Sequence, residues 1–174
     1  MVGKIAIVGP ESTGKSALAA EIAKELDTIW VPEFARYYLE LLKRPYQESD
    51  LEVMARGQLS LEKALLPQAN KWLICDTNLL VYRIWGEFKY QRVAPFIQSQ
   101  HQPSSYAFHL LTDIDLPWEQ DPQREHPEAR QELFDLYQQA LLRDRVPHAI
   151  VKGVGALRTQ HALEAIGQFV TKNL

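Results

Sequence analysis

The stretch Gly9-Pro10-Glu11-Ser12-Thr13-Gly14-Lys15-Ser16, GPESTGKS, has the spacing G-x-x-x-x-G-K-[ST]. Each fixed position has a physical reason. The glycines let the backbone curl until consecutive N–H groups point inward at phosphate oxygens. A helix starting here would turn the positive end of its dipole toward the same anion. Lys15 can reach the β- and γ-phosphates, and Ser16 can offer its hydroxyl to Mg²⁺. The residues expected to hold ATP are Gly9, Glu11, Ser12, Thr13, Gly14, Lys15, Ser16 and Ala17, with Arg124 from farther along the chain. With glycine at ~7% of residues, so constrained a pattern arises by accident in well under ~1% of chains this long.

The sequence around this loop supplies the expected context. Lys4–Val8 (KIAIV) is a short β-branched run closed by Gly9, and reads as a buried strand. After the loop, Leu18, Ile22 and Leu26 recur at helical spacing. A second strand is expected over Thr28–Val31, ended by Pro32, then a helix over Phe34–Leu42. Ser49-Asp50-Leu51-Glu52 has the form of a capping box, opening a helix that runs to about Leu66 and stops before Pro67. Further strands are expected over Trp72–Cys75, Tyr106–Leu111 and Ala149–Val151. Helices are expected over Leu79–Phe88, around Leu133–Leu141, and around Ala162–Val170.

Strands alternating with helices imply βαβ crossovers. The expected fold class is α/β: a P-loop NTPase, three-layer α/β/α sandwich with a five-stranded, mostly parallel sheet. One domain is expected over residues 1–174, with a lid segment at about 113–130. In such sheets ligands bind beyond the carboxyl ends of the strands. Attention therefore falls on Gly9–Ser16, Glu33–Arg36, Asp76–Asn78, Thr112–Arg124 and Lys152–Gly155.

The composition excludes several classes. The 174 residues have an apolar fraction of 46% and a charged fraction of 24%, ordinary for a globular domain. The net charge of −3 supplies no basic field for DNA, RNA or an anionic membrane. No segment approaches the ~20 apolar residues of a membrane span. The first residues do not read as a signal peptide, because the apolar run Ile5–Val8 is too short. Cys75 is the single cysteine, so no intrachain disulfide forms, consistent with a cytoplasmic location. The five histidines show no zinc spacing. The expected partner is a small molecule, with no nucleic acid and no membrane; oligomeric state has no sequence signal.

Several residues could use the bound phosphate. Asp76 ends a strand where a carboxylate can hold the Mg²⁺ shell opposite Ser16, or it can serve the next helix as a cap. Glu33 can accept a hydroxyl proton as that oxygen attacks the γ-phosphate. Equally, it can complement a helix dipole and pair with Arg36 three residues on. The stretch from Asp113 to Arg124 carries carboxylates, an exposed-looking Trp118 and Arg124. It reads either as a lid whose Arg124 or Arg130 meets γ-phosphate charge, or as a solvated acidic loop with Trp118 over the core. Trp30 and Trp85 read as core residues. Lys152-Gly153-Val154-Gly155 either brings backbone close to an adenine base or makes a turn. A GTPase is disfavoured: Asn70-Lys71-Trp72-Leu73 lacks the Asp of Asn-Lys-x-Asp, and no Asp-x-x-Gly occurs.

Taken together, GPESTGKS, VPEFARYYLE, DLEVMARGQ, ICDTNLLVYRIW and LLTDIDLPWEQDPQR resemble, in order and spacing, the nicotinamide riboside kinase domain of the bacterial regulator of NAD synthesis, an AAA-like P-loop kinase. The resemblance covers about residues 3 to 170. It implies ATP- and Mg²⁺-dependent phosphorylation of the ribose 5′-hydroxyl of nicotinamide riboside or a similar nucleoside. By position, Lys15 and Ser16 match the ATP loop, Glu33 and Arg36 match Pro-Glu-aromatic-Ala-Arg, and Asp76 matches the first Asp of Asp-Thr-Asp. Trp118, Asp121 and Arg124 match the lid's Pro-Trp-x-x-Asp-x-x-Arg.

The expected catalytic residues are thus Lys15, Glu33, Asp76 and Arg124, and the expected substrate-binding residues are Glu33, Arg36, Asn78, Trp118 and Asp121. Ser16 and Asp76 are the expected metal ligands. Asn78 stands where the family has a second Asp, and keeps hydrogen bonding without the charge. Pro122 stands where the lid commonly has Gly, and fixes φ. The family's adenylyltransferase and DNA-binding portions have no counterpart in these residues, so the expectation is confined to the kinase step. Two other classes share the loop: an ATPase or switch acting on a protein partner, which would hydrolyse ATP regardless of any nucleoside, and a binding module that holds Mg·ATP without turnover.

Overall fold

The structure is a computed structural model that describes residues 2–173; Met1 and Leu174 of the expected domain lie outside the described residues. In chain order the elements are β1 (Gly3–Val8), α1 (Lys15–Glu25), β2 (Trp30–Val31), α2 (Phe34–Leu41), α3 (Glu48–Leu65) and β3 (Trp72–Asp76). They continue with α4 (Leu79–Tyr90), α5 (Pro95–Gln100), β4 (Phe108–Thr112), α6 (Arg130–Arg143), β5 (His148–Val151) and α7 (Ala156–Asn173). The strand order is β2-β3-β1-β4-β5, and every pairing is parallel rather than mostly so. Each connection carries at least one helix, which is what parallel neighbours require.

Both faces of the sheet are covered, and the residues divide by strict alternation. Ile5 and Ile7 of β1, with Ile74 and Leu110, pack against Leu18 and Ile22 of α1 and Ile166 of α7. Ala6 and Val8, with Cys75 and Leu111, pack against Leu80 and Ile84 of α4 and Tyr137 and Leu141 of α6. A third cluster, around Met54, Tyr82 and Ile97, joins α3, α4 and α5 beside the sheet. The chain leaves β1 toward β2 and leaves β3 toward β4. The strand order therefore switches direction between neighbouring β1 and β3, where open α/β sheets form their ligand crevice.

Three sequence expectations are corrected. The second strand is only Trp30–Val31, because Thr28 turns its hydroxyl sideways to donate to the Trp72 carbonyl (2.6 Å) and accept from the Asn70 amide (3.0 Å). The fourth begins at Phe108, since Tyr106 closes a 3₁₀ turn and sends its hydroxyl to Glu62 (2.7 Å). The capping box of α3 is Gln47 with Asp50, not Ser49 with Glu52. The Asp50 carboxylate accepts from the Gln47 amide (2.6 Å), both Arg44 Nη groups (2.7 and 2.9 Å) and the Tyr38 hydroxyl (2.7 Å). The Arg44 and Tyr38 donors, which lie outside the helix, hold Asp50 inward, and the helix starts at Glu48.

The same donors, Arg44 first, hold the Asp50 carboxyl well below the usual carboxylate range. Its stabilising contribution is present above the unfolded pKa and is lost as pH falls toward the depressed folded value. Asp50→Ala is expected to lower stability by about 2 kcal/mol near neutral pH, through loss of the cap and its charge-assisted bonds. Urea unfolding at pH 7 and pH 3 checks this, with a smaller difference between variant and wild type at pH 3.

Candidate active site

The loop between β1 and α1 is built to receive an anion. Gly14 caps α1 in the left-handed region at φ 73°, no side chain caps the helix, and no acidic residue lies in its first turn. The first amides of α1 are therefore open to a ligand. The Lys15 ammonium folds back to donate to the Gly9 and Pro10 carbonyls at 3.0 and 2.8 Å, where phosphate oxygens would compete for it. The Thr13 hydroxyl meets the Thr112 hydroxyl at 2.7 Å, tying the loop to the end of β4.

Gly9 does not line the cleft as expected of a nucleotide-binding residue. It lies at φ 143°, and a Cβ there would sit 2.4 Å from Thr112 Oγ1, so only glycine lets the loop leave β1 along this path. Gly9→Ala is expected to weaken Mg·ATP binding on the order of tenfold by forcing the loop out of shape, as calorimetric titration would read.

Two carboxylates stand opposite the loop. Asp76 is paired in register with Ile7, fully buried, and neither of its oxygens has a hydrogen-bond partner among the described residues. Burial raises its pKa, while the Ser16 hydroxyl and the charges of Lys15 and Arg36 favour its ionised form. An unpartnered buried carboxylate facing a hydroxyl is a donor set suited to a hard divalent cation such as Mg²⁺, which takes one or two protein oxygens and completes its shell with phosphate and water.

Glu33 lines the cleft from the N-cap of α2, whereas the expected metal ligand Asp76, wholly buried behind it, does not. Burial, and then the Asp76 charge, push its carboxyl up to about 7, against the pull of Lys15 and Arg36. The next residue after Asp76, Thr77, is a buried β-branched residue at φ 86° with its hydroxyl unpartnered. Such strain, here beside two neighbouring carboxylates, clusters at functional sites.

Residues 113–130 cover the cleft and are fastened on four sides. Arg36 reaches Asp121 at 2.9 Å, so its partner is in this segment and not Glu33. The Arg124 guanidinium donates to the Ser12 hydroxyl (3.1 Å), and Arg130 donates to the Ser12 and Leu116 carbonyls (3.1 and 2.9 Å). Glu11 accepts the Glu125 and His126 amides. Lys89 of α4 binds Glu125 at 2.7 Å, and Asp115 binds Arg158 of α7 at 2.6 Å.

The cleft is a cavity of about 350 Å³ that brings together Glu11 to Ala17, Glu33, Arg36, Asp121 and Arg124. Two expected substrate residues lie elsewhere. Asn78 is buried; its Oδ1 caps α4 by accepting the Leu80 amide (3.0 Å), and its amide nitrogen meets His109 Nε2 (3.2 Å). Burial lowers the His109 pKa to about 4, so the ring is neutral and accepts from Asn78. An uncharged amide suits that neutral partner. Trp118 does not line the cleft, and it is half-buried rather than exposed, with its indole N–H enclosed. Conversely, Trp85 packs on the core yet also lines the cleft, and Leu39 and the exposed Glu119 line it too. The helical spacing of Leu39 and Trp85 is indistinguishable from core periodicity, so only assembly reveals them.

Two more cavities adjoin this one. One of about 380 Å³ shares Gly14 and Ala17 with it and is closed by Leu116, Gly155, Ala156 and Thr159. Another, of about 660 Å³, shares Arg36, Leu39, Asp121 and Gln123.

Comparison with known proteins agrees with this geometry. The AAA domain family AAA_28 matches residues 4–158. The trifunctional NAD biosynthesis/regulator protein NadR of Salmonella typhimurium is 28% identical over 124 residues, 69% of this chain, and its Escherichia coli counterpart gives the same values. The chain spans 30% of the length of these curated relatives. A crystal structure of NadR in complex with NR superposes over 97% of this chain and 49% of its own, with a TM-score of 0.76 at 19% identity. Deoxyadenosine kinase from M. mycoides superposes over 95% of this chain and 99% of its own, with a TM-score of 0.62 at 16% identity. These structural likenesses establish a P-loop kinase fold.

Proposed function

The chain belongs to the AAA domain family, and from that premise we propose that it is an ATP- and Mg²⁺-dependent kinase that phosphorylates the ribose 5′-hydroxyl of nicotinamide riboside or a similar nucleoside. The observation that carries the reading is the row of three adjoining cavities with the phosphate loop in the middle one. A donor nucleotide can lie with its base beside Gly155 and its phosphates in the loop, leaving the far side of the cleft for an acceptor. A simple ATPase needs no such third space.

The acceptor side supports an alcohol rather than a phosphate as nucleophile. Its arginines are engaged, Arg36 by Asp121 and Arg44 by Asp50, while Glu33 presents a carboxylate. A phosphate acceptor would meet that carboxylate; a hydroxyl can give it a proton. In the proposed step the 5′-oxygen forms a bond to the γ-phosphorus as its proton passes to Glu33. The bond from that phosphorus to the β–γ bridging oxygen breaks, and its electron pair leaves with ADP. Lys15 and Arg124 face the charge on the transferring group. Ser16 and Asp76 would hold Mg²⁺, whose chemistry is to neutralise phosphate charge.

The test is ADP release from Mg·ATP by purified protein with and without nicotinamide riboside, with the product mass measured. The expected result is strong stimulation and a product heavier by one phosphoryl group. ADP release indifferent to every nucleoside tried would replace the kinase reading with an ATPase acting on another partner.

A further inference from the structure

The 660 Å³ cavity lies between α2, residues 42–46 and the lid, and adjoins the cleft at the Arg36–Asp121 pair, which lines both. An acceptor with its hydroxyl at Glu33 would extend in this direction, because the opposite flank of the loop adjoins the cavity assigned to the donor base. The charges around the cavity are unequal in what they can offer. Arg44 holds Asp50 through two bonds of 2.7 and 2.9 Å, and Arg36 holds Asp121 at 2.9 Å, so both cations are engaged. Glu125 is shared by Lys89 and the Tyr46 hydroxyl. Glu40 lines the cavity and has no ion-pair or hydrogen-bond partner among the described residues. Leu42, Pro45 and Pro122 supply apolar wall. Unbalanced negative charge and apolar contact together suit a flat ring that is positively charged, tolerate a neutral one, and disfavour an anion.

We infer that this cavity takes the acceptor's base and that Glu40 gives it a preference for a cationic ring, such as a pyridinium, over an uncharged ring of the same shape. The inference rests on the kinase reading; the location of the base and the residue that selects its charge are what it adds. Glu40 is a specificity-determining residue here, acting through its field and not through the reacting atoms.

The experiment compares kcat/KM for nicotinamide riboside, whose ring is a cation, with that for its uncharged dihydro form, at fixed Mg·ATP. Wild type is expected to favour the cation. Glu40→Lys is expected to lower the cation-to-neutral ratio on the order of tenfold, and Glu40→Gln about threefold, as charges at this range in partly solvated protein allow. KM for ATP should not move. Glu40 is exposed, so both variants retain the fold. Leu42→Trp, which narrows the cavity, should raise KM for both nucleosides without changing KM for ATP. A ratio unmoved by both Glu40 substitutions, or wild-type nucleoside KM in Leu42→Trp, would overturn the inference while leaving the kinase intact. Failure of the wild type to turn over either nucleoside would overturn the kinase reading and this inference with it.

Discussion

Lys15→Ala is expected to slow turnover by on the order of 10³-fold or more, because in the proposed reaction this lysine supplies positive charge to the transferring phosphoryl group. The same ammonium now sits on two loop carbonyls, those of Gly9 and Pro10. Its removal leaves carbonyls at an open cleft, where water replaces it, so the fold should survive. Single-turnover rates at saturating Mg·ATP, with circular dichroism to confirm folding, make the measurement. Activity within tenfold of wild type would remove Lys15 from the transfer step.

The second large effect is expected at Glu33. Glu33→Gln should lower kcat by ~10²-fold or more if this carboxylate takes the hydroxyl proton. The pH profile sharpens the test. In the free enzyme Glu33 is raised to about 7 by burial and by Asp76. It is protonated and unable to accept below that pH, so kcat/KM for the nucleoside should climb as pH rises through about 7. Glu33→Gln should lose this acid limb together with the rate.

Stability should move the opposite way. A raised carboxyl pKa stabilises the folded state below the unfolded pKa, and that contribution is lost as pH rises through the folded value. Glu33→Gln should therefore raise Tm relative to wild type at pH 8 and not at pH 5. Residual activity that keeps an acid limb near 7 would assign the limb to another group.

How much was legible in the chain follows from the range of the interactions involved. The phosphate loop is a contiguous device: Gly14 in the left-handed region, Lys15 and Ser16 follow one another along the backbone, and the function of each is local. Strand and helix periodicity put the loop and Asp76 each at a strand end; that β1 and β3 are neighbours, with Ile7 beside Asp76, is decided by the sheet order. The capping box was misassigned because Asp50 is drawn inward by Arg44 and Tyr38, contacts that local pattern does not contain. The partner of Asn78 is beyond local pattern in the same way, since His109 lies 31 residues away on another strand.

By itself the sequence determined the α/β class, the anion-binding loop and the carboxylates at strand ends, because these depend on neighbours within a turn or a strand. Only the tertiary structure decided which cations are free to meet a substrate. Arg36 and Asp121 lie 85 residues apart, and their contact divides the cleft from the larger cavity beyond it. Electrostatic availability is a property of the assembled site: a charge already held in an ion pair offers a ligand less than a free one, and pairing is settled by distance in space, not along the chain.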